Sequence, residues 1–160
     1  MNKSLKILHF VGLALFVGSI PGHILLGEIA VPENGMEAFA ALIRSKYLSV
    51  AALTLPGLGL MVATGIPLMI RRKMTPNRLR WMTMKLVLVS LISINGLFLL
   101  LPTAWEMSNV AANAMGSGSL DESFWNLKSR ESIFGAINLI LILIVIGVTV
   151  SKPVFKRRHP

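Results

Sequence analysis

The sequence predicts an all-α integral membrane protein, a four-helix bundle with both termini in the cytoplasm. Three observations predict it. Of the 160 residues 54% are hydrophobic and only 14% charged, where a soluble domain carries about 25% charge. The charges gather into short blocks between four long apolar runs, each close to the roughly 20 residues that cross a ~30 Å hydrocarbon layer as a helix. The blocks also differ in sign from one side of the bundle to the other.

The runs cover residues 5–27, 48–70, 81–103 and 133–151, all within a single domain, 1–160. The first, "LKILHFVGLALFVGSIPGHILLG", follows Lys3 and itself contains Lys6, so a cleavable signal peptide is its rival reading. It outruns the 7–15-residue core of a signal peptide and ends in no A-x-A-like site, which favours a retained span. The second contains "TLPGLGLMVATG", whose Pro56 removes a backbone donor and whose glycines let a neighbour approach. "IPG" at 20–22 gives the first run the same character. Ordinary packing is preferred to a hinge at both sites. The third opens with "RWMTMKLVLVSL". The fourth, "IFGAINLILILIVIGVTVS", has no charge at all.

The connections are equally distinct. "RRKMTPNRLR" is short and basic, turns at "TPN", and makes spans 2 and 3 antiparallel neighbours. Between spans 1 and 2, "MEAFAALIRSKY" has the spacing of a short amphipathic helix running into span 2. Between spans 3 and 4 a flexible "GSGS" separates stretches holding Trp105 and Trp125, both expected as interfacial anchors.

Charge placement sets the orientation. Lys3, Lys6, Arg71, Arg72, Lys73, Arg78, Arg80, Lys152, Lys156, Arg157 and Arg158 fall on one side with no acid among them. All seven acids lie on the other side or at its boundary, with only Arg44, Lys46, Lys128 and Arg130 beside them. The positive-inside rule then puts both termini of this multi-pass protein in the cytoplasm, and a bacterial inner membrane is its expected location. The net charge of +9 is an orientation signal with some attraction for lipid headgroups. The partner it implies is the lipid bilayer and not nucleic acid. The absence of cysteine excludes disulfides, iron–sulfur clusters and Cys-ligated zinc.

Ionisable groups inside the membrane are the informative ones, since each costs about 2.5–3.5 kcal/mol or more at a helix centre. His9 and Lys85 each lie about one turn in from the basic side, roughly 5–8 Å deep, and can share a site. His23, Glu28 and Glu131 lie towards the opposite face, with Glu131 read as a solvated residue preceding the last helix. His9 and His23 are fourteen residues apart, so they face the same way about 21 Å from each other. Such spacing serves two stacked haems when a facing helix supplies partner histidines. Here the only other histidine is His159, in the tail, so two bis-histidine haems are excluded. His9 is thus either an interhelical hydrogen-bonder or an iron ligand, and Lys85 either snorkels to the surface or serves a propionate or substrate carboxylate. His23 reads as structural. Met82 and Met84, flanking Lys85, are conceivable thioether ligands. No phosphate-binding glycine loop, H-E-x-x-H or G-x-S-x-G is present.

"LKILHFVGLALFVGS", "RWMTMKLVLVSL" and "RESIFGAINLILILIVIGVTVSKPVF" resemble the HemJ-type protoporphyrinogen oxidase family and a related, uncharacterised family of four-helix membrane proteins. In the HemJ-type pattern a Leu-His starts helix 1, Trp-Leu-x-x-Lys-Leu opens a later helix, and Asn-Glu-x-Pro precedes a last helix closing with Lys-Pro. The resemblance places the family's histidine on His9, its lysine on Lys85, its tryptophan on Trp81, its acid on Glu131 and its closing pair on Lys152-Pro153. It implies a haem b cofactor with His9 on the iron, Lys85 and Glu131 as catalytic residues, and oxidoreductase activity. Electrons then pass from a porphyrin into the membrane, which makes porphyrin and quinone the candidate small partners. The chain departs from the pattern at Asn95, where a second histidine is usual, and at Arg130-Glu131, which replaces Asn-Glu and lacks the following proline. Helix 1 and "TLPGLGLMVATG" look more like the uncharacterised relatives. Two other classes stand beside the haem reading. One is a non-enzymatic accessory or assembly subunit, acting as a homo-oligomer or within a larger membrane complex. The other is a small-solute transporter.

Overall fold

The computed structural model describes residues 3–71 and 80–151. All of the secondary structure among these is helical, and four helical runs are long and apolar enough to cross a membrane. The expected turn at "TPN", the closing pair Lys152-Pro153 and His159 lie outside the described residues.

Helix α1 (Lys3–Ile29) is followed by a 3-10 turn, Pro32–Asn34, and by Gly35, whose φ of 101° suits only glycine well. Helix α2 (Met36–Ser49) passes through a π-helical turn, Val50–Thr54, into α3 (Leu55–Arg71). Helix α4 (Arg80–Asn95) passes through a second π-helical turn, Gly96–Leu100, into α5 (Leu101–Ser117). Helix α6 spans Glu122–Ser151. In both π turns the bond reaches five residues back, from Leu55 N–H to the Val50 carbonyl and from Leu101 N–H to the Gly96 carbonyl. Each turn stops one residue short of a proline, Pro56 or Pro102. A proline ring clashes with the carbonyl four residues earlier, and a widened turn relieves that clash without ending the helix.

The expected boundaries are too short at one end. Met36–Arg71 and Arg80–Ser117 each continue well past the apolar runs, and α6 begins eleven residues before 133. At 1.5 Å per residue these two runs are about 54 and 57 Å long, against a hydrocarbon layer of ~30 Å. The surplus builds a cap. Helices α2 and α5 and the start of α6 pack around Phe39, Ile43, Met107, Ala111 and Phe124. The Phe39 and Phe124 rings meet edge to face at 5.1 Å. Local signals explain the ends of this cap. Gly118, in "GSGS", takes the left-handed conformation and donates to the Ala114 carbonyl, closing α5. The Asp121 carboxylate then accepts from the Ser123 hydroxyl at 3.0 Å at the start of α6.

Below the cap the helices pair as α1 with α3 and α4 with α6. The short connection between spans 2 and 3 therefore does not make α3 and α4 each other's main neighbours, because glycines draw α1 onto α3 instead. Gly12 and Gly57 put the two backbones in contact: a Cβ on Gly57 would lie 2.6 Å from the Phe16 nitrogen, and one on Gly12 2.8 Å from the Met61 nitrogen. The two pairs meet through one buried residue from each span, Phe16, Leu58, Ile92 and Ile142.

Candidate functional site

Contacts along the α1–α3 seam step evenly: His9 with Thr64, Gly12 with Met61, Phe16 with Gly57, Ser19 with Thr54. On α1 the steps are three, four and three residues, the seven-residue repeat of two helices that keep one face together. His23 is the next member of that series. The fourteen residues separating the histidines are two such repeats, and both imidazoles point at span 2.

At the basic end His9 Nδ1 lies 3.0 Å from the Thr64 hydroxyl. That hydroxyl directs its hydrogen to the Leu60 carbonyl at 2.6 Å, with the Met61 carbonyl farther off at 3.3 Å, which leaves its oxygen to accept from His9. Assigned from this pattern, the neutral ring carries its proton on Nδ1 and keeps a lone pair on Nε2. Gly65 makes room for it, since a Cβ there would approach His9 Cε1 to 3.2 Å. Lys85, half-buried on α4, is close enough to act on the His9 ring electrostatically. Met82, one turn before Lys85, is buried, whereas Met84 faces outward.

The opposite end is built differently. His23 Nε2 lies 3.1 Å from the Ser49 hydroxyl and 3.3 Å from that of Thr54. Ser49 and Thr54 are five residues apart, a spacing that an α-helix splays but a π turn, with its five-residue bond, stacks. The π turn is what lets one imidazole reach both. It also takes up one residue: the partners Ser49 and Thr64 are fifteen apart where the histidines are fourteen. Ser19 donates to the Phe16 carbonyl at 2.9 Å and so accepts from Thr54 at 2.8 Å, which leaves Thr54 to accept from His23. His23 is therefore engaged through Nε2, where His9 is engaged through Nδ1. Beside it Lys46 of α2 and Glu131 of α6 form an ion pair at 2.5 Å, each side chain only 14% exposed, within electrostatic reach of the ring.

Glu131 is accordingly not a solvated residue ahead of the last helix. It sits inside α6, because α6 begins at Glu122, and it belongs with His23 rather than with His9 and Lys85. Glu28 is exposed. Asn95, where the resembled pattern has a histidine, is also remote from His9: buried before the second π turn, it donates to the Phe134 carbonyl at 2.9 Å. Trp105 and Trp125 are exposed, and Lys128 lies over the Trp125 ring. Sequence reasoning missed Thr64, Ser49, Thr54 and Ser19. Their one available signal was a spacing that matches, to within a residue, the spacing of the histidines.

Among the described residues no three His, Cys, Asp or Glu side chains gather where they could hold a metal ion. The His9 site offers a single imidazole nitrogen beside an ammonium, a set suited to a metal held mainly by its own organic ligand. Compared with known proteins, residues 3–153 match the model of a family described as predicted integral membrane protein (DUF2269). No curated protein and no solved structure matches the chain.

Proposed function

We propose, for a chain that belongs to this family of integral membrane proteins, a role as a b-type haem-binding redox protein of the bacterial inner membrane, with both termini in the cytoplasm. The observation that carries the reading is the His9 imidazole, with Nδ1–H tied to Thr64, a lone pair on Nε2, and the Lys85 ammonium nearby. Haem iron is held through one nitrogen of a neutral imidazole. A ligating ring is usually fixed by a hydrogen bond from its other nitrogen, as here. Lys85 supplies the cation that a propionate needs inside a low-dielectric layer. Met82, buried one turn before Lys85, is a conceivable thioether ligand.

When bound, haem supplies one-electron transfer at this depth. The protein's own parts would do the rest: His9 would hold the iron, Thr64 holds His9, and Lys85 would pair with a propionate. Porphyrins and quinones, which partition into the bilayer, are the electron partners this placement suits. The apolar layer of Phe16, Leu58, Ile92 and Ile142 lies between the two polar ends of the bundle, which weakens the transporter reading.

Protein purified in detergent from haem-sufficient cells should show a Soret band that shifts on reduction. Lys85→Met should weaken haem retention about ten- to hundredfold while the helical content stays unchanged, the usual scale for loss of an outer partner at a metal site. Colourless wild-type protein from such cells would overturn the proposal.

A further inference from the structure

The two histidines share one helix, one seam and one class of partner, yet they are engaged through opposite ring nitrogens. We propose that Thr64 is the positioning residue that makes His9, and not His23, the metal-binding imidazole of this chain. The inference rests on the haem reading above for its consequence, but its structural content can be tested without haem.

The distinction comes from where each hydroxyl sends its own hydrogen. Thr64 sits in an uninterrupted helical turn of α3 and donates to the carbonyl four residues back, at Leu60. Its oxygen is left as an acceptor, and the only ring hydrogen it can take is the one on His9 Nδ1. Nδ1 is the nitrogen next to the backbone end of the ring, so fixing it there leaves Nε2, the outer nitrogen, for an iron atom. At His23 the outer nitrogen is the one engaged, by both Ser49 and Thr54, and the chain of donors runs on through Ser19 to the Phe16 carbonyl. To bind iron through Nε2, His23 would have to give up both hydroxyls inside the membrane. Gly65 completes the His9 arrangement: with 3.2 Å between Cε1 and an added Cβ, any larger residue would press on the ring that Thr64 holds.

Two measurements on the full-length protein test this. The first is the nitrogen-15 NMR of the imidazoles in detergent micelles without added haem, which reads the tautomer of each ring. His9 should be protonated on Nδ1. A His9 ring protonated on Nε2 would overturn the inference whatever haem does. The second is a haem titration followed in the Soret band, with helical content checked by circular dichroism. Thr64→Val keeps the shape and removes the hydroxyl; it should weaken haem binding about ten- to hundredfold and move the midpoint potential, and Thr64→Ser should restore both. Haem binding by Thr64→Val within threefold of wild type would also overturn it. If wild-type protein binds no haem, the proposed function fails, and the NMR result alone decides the role of Thr64.

Discussion

The His9 end and the His23 end of α1 make an instructive pair. At the first, a regular α-helical turn presents one hydroxyl, and the imidazole is held by its inner nitrogen with the outer one left open. At the second, a π turn presents two hydroxyls, the outer nitrogen is engaged, and an ion pair stands alongside. The same residue type on the same seam is thus held in two different ways, and only the first leaves Nε2 for the ligand role proposed above. What differs is which ring nitrogen is engaged, which neither residue identity nor burial reveals. The apolar layer between the ends keeps the two arrangements separate.

If the far end is a fastener, breaking it should cost stability and leave the His9 site intact. The largest effect is expected at the ion pair. Lys46→Met strands Glu131 in a nearly closed position, and losing one member of a buried pair costs about 3–5 kcal/mol. The double variant Lys46→Met/Glu131→Leu should recover most of that, because the unpaired charge is gone. Denaturant titration in mixed micelles measures both, and a double variant no better than the single would show that the pair itself holds the cap to α6.

The seam is the next place to press. Gly57→Ala puts a methyl group 2.6 Å from the Phe16 nitrogen, contact with backbone that cannot swing away. Overpacking of this kind costs about 1–3 kcal/mol, and the value here should fall at the upper end. Unlike the ion-pair variants, it should disturb both histidines, since Phe16 lies between them. A Gly57→Ala protein with wild-type stability would mean that α1 and α3 do not meet at this register.

A smaller and more selective effect is expected from His23→Phe. It leaves Ser49 and Thr54 without their ring partner, a loss on the scale of about 1–2 kcal/mol for hydrogen bonds of this kind. Its unfolding midpoint in the same titration should fall by less than that of Lys46→Met. A fall as large as that of Lys46→Met would make His23 part of the ion-pair network rather than a separate fastener.

The spans were legible because a hydrocarbon layer demands about 20 apolar residues of any helix that crosses it, and little else in the chain satisfies that demand. The helical ends beyond the membrane were not, since α5 from Trp105 to Ser117 and α6 before Ile133 carry mixed polar sequence and only their packing around Phe124 and Met107 keeps them regular. Glu131 was misplaced for the same reason: with the helix taken to start at 133, an acid two residues earlier reads as a solvated start. Pro56 and Pro102 could be seen in the sequence, but not the π turns they follow, because a proline permits several local solutions and neighbouring contacts choose among them. His9 and Lys85 were singled out by counting residues from the basic surface, and the geometry adds that His9 faces Thr64. Thr64 was hidden, because a threonine in an apolar span more often bonds only its own backbone. Here it does that and also holds His9.

The most direct test of the account is a paired absorption spectrum of His9→Ala and His23→Ala proteins, each purified from haem-sufficient cells alongside wild type. The account predicts that His9→Ala loses the Soret band and remains folded, while His23→Ala keeps the band at full intensity in a less stable protein. A Soret band retained without His9, or lost with His23, would contradict it.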